Sequence, residues 1–121
     1  MEKIESFVGV IKTYYDNEQT KLKEEYFVNA GKIEGIYRSY YYNFSELPKN
    51  NTTNKGQLLE EINYTNGHRN GIYKSFYENG SLKEEATYIN GKINGIHKLY
   101  YENGRLWEEI NHIDIKIKVD N

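Results

Sequence analysis

Gly71-Ile72-Tyr73-Lys74-Ser75-Phe76-Tyr77-Glu78-Asn79-Gly80 returns as Gly95-Ile96-His97-Lys98-Leu99-Tyr100-Tyr101-Glu102-Asn103-Gly104. The following stretches match as well, Leu82-Lys83-Glu84-Glu85-Ala86-Thr87-Tyr88 with Leu106-Trp107-Glu108-Glu109-Ile110-Asn111-His112. Self-similarity at a fixed step marks a repeat architecture. Two earlier copies lie upstream. Gly35-Ile36-Tyr37-Arg38-Ser39-Tyr40-Tyr41 opens one, and Leu58-Leu59-Glu60-Glu61-Ile62-Asn63-Tyr64 closes it. Gly9-Val10-Ile11-Lys12-Thr13-Tyr14-Tyr15 opens the other, and Leu22-Lys23-Glu24-Glu25-Tyr26-Phe27-Val28 closes it. The extra residues of both early copies fall between the two halves, where a hairpin loop tolerates them.

Each half is rich in Ile, Tyr and Phe and has the length of a strand. The joints carry Asn66-Gly67, Asn79-Gly80, Asn90-Gly91 and Asn103-Gly104. Asn and Gly accept the positive φ that tight hairpin turns require. No half is long enough for a stable helix, and the glycines recur too often. The expected fold is all-β, with tandem β-hairpin repeats forming one elongated, twisted antiparallel sheet. The chain reads as a single repeat domain over 1–121. Its repeats lie at about 9–34, 35–70 with an insertion at 43–55, 71–94 and 95–112, and a C-terminal capping strand at 113–119.

Two turn geometries compete within a hairpin. A three-residue loop sets Phe76 opposite Leu82 and Lys74 opposite Glu84. A two-residue turn sets Tyr77 opposite Leu82 and Lys74 opposite Glu85. A slip of one residue exchanges the two faces of a strand. We take the first, which gathers Ile72, Phe76, Leu82, Ala86 and Tyr88 on one face. Under either geometry the basic slot (Lys12, Arg38, Lys74, Lys98) meets a Glu, a pair worth roughly 0.2–1 kcal/mol.

Composition agrees with a folded, polar sheet. The hydrophobic fraction is 37% and mean hydropathy is -0.90, values a disordered chain also shows. Against disorder stand 13 Tyr, 4 Phe and 1 Trp, with a net charge of only -2. Rings bury large apolar area at little rotamer cost. With no Cys, there is no disulfide, thiolate nucleophile or thiolate metal site. The charged opening Met1-Glu2-Lys3-Ile4-Glu5-Ser6 leads into no apolar run, so a cytoplasmic location is expected, without membrane insertion. The acidic pI of about 5.9 gives no pull toward nucleic acid.

No catalytic constellation emerges, and no enzyme, cofactor or metal site is expected. His97 and His112 occupy slots held by Tyr in other copies, and His68 follows a turn. The Glu-Glu pairs are adjacent strand residues, so their members point to opposite faces and cannot converge. The serines have no His or Asp at a telling spacing, and the glycines are turn residues, not a phosphate loop.

The pattern G-x-Y-x-x-Y-Y-x-N-G-x-L-x-x-E, with Asn-Gly turns between copies, resembles the MORN repeat in its bacterial variant, across roughly residues 9–112. The resemblance implies one hairpin per repeat. It also implies similarity to YwqK-type antitoxin or immunity proteins, hence a protein partner, a toxin among the candidates. Other such arrays act as scaffolds, and some are linked to lipid headgroups. Copy one departs from the pattern with Asp16-Asn17-Glu18-Gln19-Thr20 in place of a Gly turn, and copy two with its long loop.

The leading function is therefore a non-catalytic protein-binding module. Self-association through an open sheet edge is the rival, and lipid binding a weaker third. Candidate contact residues are Tyr37, Tyr41, Tyr73 and Tyr77, expected as exposed rings on the face opposite Phe76 and Leu82. Trp107 extends that row, and its slot holds Lys23, Leu59 and Lys83 in the other copies. Phe44 and Leu47 in the insertion complete the set, because loops often carry binding residues.

Overall fold

The computed structural model describes residues 7–43 and 54–113. They form one antiparallel sheet whose long strands are β1 (Val8–Tyr14), β2 (Lys21–Asn29), β3 (Lys32–Tyr40), β5 (Leu58–Thr65), β6 (His68–Phe76), β7 (Leu82–Ile89), β9 (Gly95–Tyr100) and β10 (Leu106–His112). Two short pieces complete it, β4 (Asn54–Lys55) and β8 (Lys92–Ile93). The spatial order is β1-β2-β3-β5-β6-β7-β9-β10, so every long strand lies beside its sequence neighbour. This is the tandem-hairpin sheet that the repeats predict. β4 adds parallel to the start of β2, bringing the end of the insertion against Lys21 and Leu22. The rest of the insertion and the expected capping strand beyond residue 113 lie outside the described residues.

Successive repeats are joined by tight turns. Asn90 and Gly91 have φ of 50° and 84°, and Asn66 and Gly67 have 53° and 85°. Two consecutive positive φ values define the turn whose twist matches flanking strands. Within a repeat, Gly80 and Gly104 both have φ of 92°, in loops where Tyr77 N–H donates to the Ser81 carbonyl and Tyr101 N–H to that of Arg105.

The register combines the two geometries weighed from sequence. Phe76 pairs with Leu82, as the three-residue loop requires. Lys74 nevertheless pairs with Glu85, as the two-residue turn requires. A bulge between Ser75 and Phe76 absorbs the difference by leaving Lys83 unpaired. The same irregularity recurs in every hairpin, skipping Lys23, Leu59 and Trp107.

The bulge decides which side chains face the core. Beyond it, Tyr73 sits opposite Ala86 on one side and Ile62 on the other, and cross-strand partners share a face. Ile62 (3% exposed), Tyr73 (8%) and Ala86 (1%) form the core, with Tyr37, Tyr64, Tyr88 and Ile93 packed against them. Leu22 and Tyr40 are buried as well. The expected apolar face through Ile72, Phe76, Leu82, Ala86 and Tyr88 is thus corrected. Ile72 stands on the side opposite Ala86 and is 50% exposed.

Candidate protein-interaction surface

The Tyr-bearing face is held together by hydrogen bonds from aromatic side chains to Glu carboxylates between repeats. Tyr37 donates to Glu24, Tyr73 to Glu60 at 3.4 Å, and His97 Nε2 meets Glu84 Oε2 at 2.5 Å. At each junction, an aromatic donor of one repeat reaches a Glu of the repeat before it. Burial pushes the Tyr73 hydroxyl up to about 12, and neighbouring Glu84 and Glu60 charges add to the shift. Burial and Glu24 likewise push Tyr37 well above its ordinary value. The bond from Tyr37 in turn holds the Glu24 carboxyl below the usual range, against the cost of its burial.

A second set of bonds links strand ends. Tyr15 Oη donates to the Tyr40 carbonyl at 2.6 Å, Tyr41 to that of Phe76 at 2.8 Å, and Tyr77 to that of Tyr100 at 2.6 Å. The unpaired bulge residue packs on the same ring. Lys23 lies over Tyr15, Lys83 over Tyr77, and Trp107 against Tyr101 at 5.8 Å.

These contacts correct the expected stripe of free tyrosines. Tyr73 is core, Tyr37 is half-buried between Tyr26 and Tyr64, and the hydroxyls of Tyr41 and Tyr77 are engaged within the sheet. The physical reason is the bulge, which turns Tyr73 toward Ile62 and Ala86. Trp107 alone of the described candidates stands open, at 58% exposure. Phe44 and Leu47 lie outside the described residues.

The opposite face carries the surface that sequence reasoning missed. Val10, Ile36, Ile72 and Ile96 each follow the first glycine of their repeat, and all four are exposed. Phe27, paired with Val10, widens the stripe at one end. Beside it runs a ladder of alternating charge, Lys12, Glu25, Arg38, Glu61, Lys74, Glu85, Lys98 and Glu109, each opposite the next. Arg38 and Glu61 meet at 2.9 Å, and Lys74 and Glu85 at 3.8 Å. The signal was present in the repeat, because an apolar residue follows every one of these glycines. A purely structural sheet exposed to water would favour polar residues there.

Chemistry at the rest of the surface is sparse. A cleft of about 560 Å³ is lined by Ile89, Asn90, Lys92, Ile93, Asn94, His112 and Ile113. His112 Nε2 is buried without a hydrogen-bond partner among the described residues, and its ring lies 5.6 Å from that of His97. Among the described residues no three His, Asp or Glu side chains gather as metal ligands. No helix among them is long and apolar enough to cross a membrane.

The family model described as a MORN repeat variant matches residues 69–90 and 93–114. No curated protein and no solved structure matches the chain. The two matched units coincide with the β6–β7 and β9–β10 hairpins, and residues 69–114 are a MORN-repeat region within a longer sheet of the same hairpins.

Proposed function

We propose that this chain is a non-catalytic protein-binding repeat module that neutralises a toxin by covering it, as an antitoxin or immunity protein. The observation that carries the binding role is the exposed row of Val10, Ile36, Ile72 and Ile96 beside the alternating charges. An exposed apolar row, interleaved with Asn63 and Thr87 and rimmed by charge, favours a protein partner. The ladder alternates in sign and leaves no run of cations to attract headgroups or a phosphate backbone. The toxin as partner rests on the resemblance of residues 9–112 to YwqK-type proteins. In this reading residues 1–121 act as one repeat domain in the cytoplasm, and Trp107, Phe44 and Leu47 belong to the contact set.

Affinity capture from the native host, read by mass spectrometry, tests the reading. A single stoichiometric partner is expected whose growth arrest this chain relieves on co-expression. The double variant Ile36→Asp, Ile72→Asp should stay folded and lose that relief. Recovery of nothing but further copies of this chain would favour a second reading, a self-associating scaffold. What favours that reading is the pair of sheet edges, since among the described residues β1 and β10 each have one strand neighbour.

A further inference from the structure

The sheet has three internal junctions between repeats, and all are built alike. At the first, β2 presents Glu24 and Glu25 to Ser39 and Arg38 of β3. At the second, β5 presents Glu60 and Glu61 to Ser75 and Lys74 of β6. At the third, β7 presents Glu84 and Glu85 to Leu99 and Lys98 of β9. Just before the basic residue stands an aromatic donor, Tyr37, Tyr73 or His97, bonded to the first Glu. Each incoming strand thus carries an aromatic donor followed by a cation. The Tyr hydroxyls of the turns then fasten the strand ends, through Tyr41 at the second junction and Tyr77 at the third.

β10 is the fourth copy of the accepting strand, without a strand beyond it among the described residues. Glu108 and Glu109 occupy the accepting slots, and both are exposed. Neither makes a hydrogen bond or ion pair among the described residues. Tyr101 holds the slot of Tyr41 and Tyr77, but it is 50% exposed, and its hydroxyl has no carbonyl partner among the described residues. Leu106 and Trp107 on the same strand are exposed too. The charge ladder ends on Glu109, a carboxylate with a cation on one side only.

We propose that the β10 edge accepts one antiparallel strand from a partner protein, and that this strand carries Tyr or His followed by Lys or Arg. The proposal rests on the protein-binding reading above and names a second contact, at the edge rather than on the Ile-bearing face. The incoming cation sits opposite Glu109, as Lys74 sits opposite Glu61. The aromatic donor reaches Glu108, and Tyr101 donates to a carbonyl at the end of the strand. Main-chain bonds supply affinity and the two Glu slots supply selectivity, the usual division when a strand is added to a sheet. A second copy of this chain fits less well. Its β1 edge, without a strand beyond it among the described residues, offers Ile11-Lys12, which supplies the cation and leaves Glu108 without an aromatic donor.

Trp107 is the one Trp in the chain and lies on the strand in question, so its fluorescence reports on the edge. The probe is the synthetic heptapeptide Gly-Ile-Tyr-Lys-Ser-Phe-Tyr, the sequence of residues 71–77, titrated into the full chain. A saturable blue shift is expected. The exposed-site variant Glu109→Lys, checked for folding by circular dichroism, should bind this peptide roughly five- to tenfold more weakly, given the usual worth of a cross-strand charge pair and its reversal. It should prefer a peptide with glutamate in place of the lysine. Absence of saturable change up to millimolar peptide overturns the proposal, as it would if residues 114–119 of the chain itself covered the edge. Equal binding of both peptides by parent and variant overturns it too. Concentration-dependent association of the chain alone, abolished by Glu109→Lys, would assign the edge to a second copy instead. None of these outcomes touches the Ile-bearing face, whose own variants test the broader reading.

Discussion

β7 and β10 carry the same half-repeat, Leu82-Lys83-Glu84-Glu85-Ala86-Thr87-Tyr88 and Leu106-Trp107-Glu108-Glu109-Ile110-Asn111-His112. One is central and the other is an edge. In β7, Ala86 is buried and Glu84 meets His97. In β10, the run from Leu106 to Glu109 is exposed, and Ile110, in the slot of Ala86, is only half-buried. The difference is one neighbouring hairpin. A single hairpin cannot bury its own apolar face, and stability in such an array is a sum of units and of the interfaces between them. Equivalent substitutions should therefore cost far more inside the sheet than at its end.

The largest contrast is in the core row. Ile62→Ala removes side-chain atoms from the contact with Tyr73 and Ala86 and should cost roughly 2–4 kcal/mol. Ile110→Ala, at the equivalent slot of β10, should cost less than about 1 kcal/mol. Urea denaturation of both variants measures the gap. Equal losses would mean that the last hairpin is as firmly packed as the second.

The turns give the next contrast. Gly80 and Gly104 share a φ of 92°, a conformation that strains a branched side chain. Gly80→Val should lower global stability by roughly 1–2 kcal/mol. Gly104→Val carries the same local strain, but it loads a hairpin with one neighbour. Hydrogen exchange should show that variant opening β9 and β10 while β5 to β7 keep their protection. Uniform loss of protection would show one cooperative sheet.

The same pair of strands shows what was legible in advance. The four hairpins, the Asn-Gly turns and the basic slot facing a Glu all follow from residues at a fixed step. The face of Tyr73 did not, because it depends on one unpaired residue. A bulge inserts no distinctive side chain, and its slot holds Lys23, Leu59, Lys83 and Trp107. That variety is itself a trace, since a residue outside the ladder has no partner to match. Both turn geometries weighed from sequence assumed an unbroken ladder, and each was correct on one side of the bulge. The exposed Ile row went unread for the same reason, since Ile72 was assigned to the core face.

Titration sharpens the comparison from the side of the junctions. Tyr73 has its hydroxyl raised to about 12 by burial, so the folded state favours its neutral form. That contribution is intact below about pH 10 and is lost as pH rises through the folded value. Discounted for solvent screening it amounts to about 1 kcal/mol. Glu24 behaves in the opposite sense. Its value is lowered chiefly by the bond from Tyr37, so its contribution is present above the ordinary carboxylate range and lost on acidification through the folded value. Tyr37→Phe should therefore flatten the acid limb of the stability profile, and Tyr73→Phe the alkaline limb. An unchanged acid limb in Tyr37→Phe would detach Glu24 from that junction.

The smallest effect isolates a single bond. Tyr77 and Tyr101 hold the same slot in consecutive repeats, each beside its bulge residue, Lys83 or Trp107. The Tyr77 hydroxyl donates to the Tyr100 carbonyl at 2.6 Å, across the junction to the next repeat. The Tyr101 hydroxyl has no such acceptor among the described residues. Changing either to Phe keeps the ring and removes only the oxygen. Tyr77→Phe should cost roughly 0.5–1.5 kcal/mol, the net worth of a typical hydrogen bond, because the carbonyl loses its partner. Tyr101→Phe should leave the denaturation midpoint of the free protein unchanged. With the peptide of residues 71–77 bound at the edge, the order should converge, and Tyr101→Phe should then weaken the complex by a similar amount. If Tyr101→Phe already destabilises the free chain as much as Tyr77→Phe does, its hydroxyl is engaged within the chain, and the fourth junction is closed rather than open.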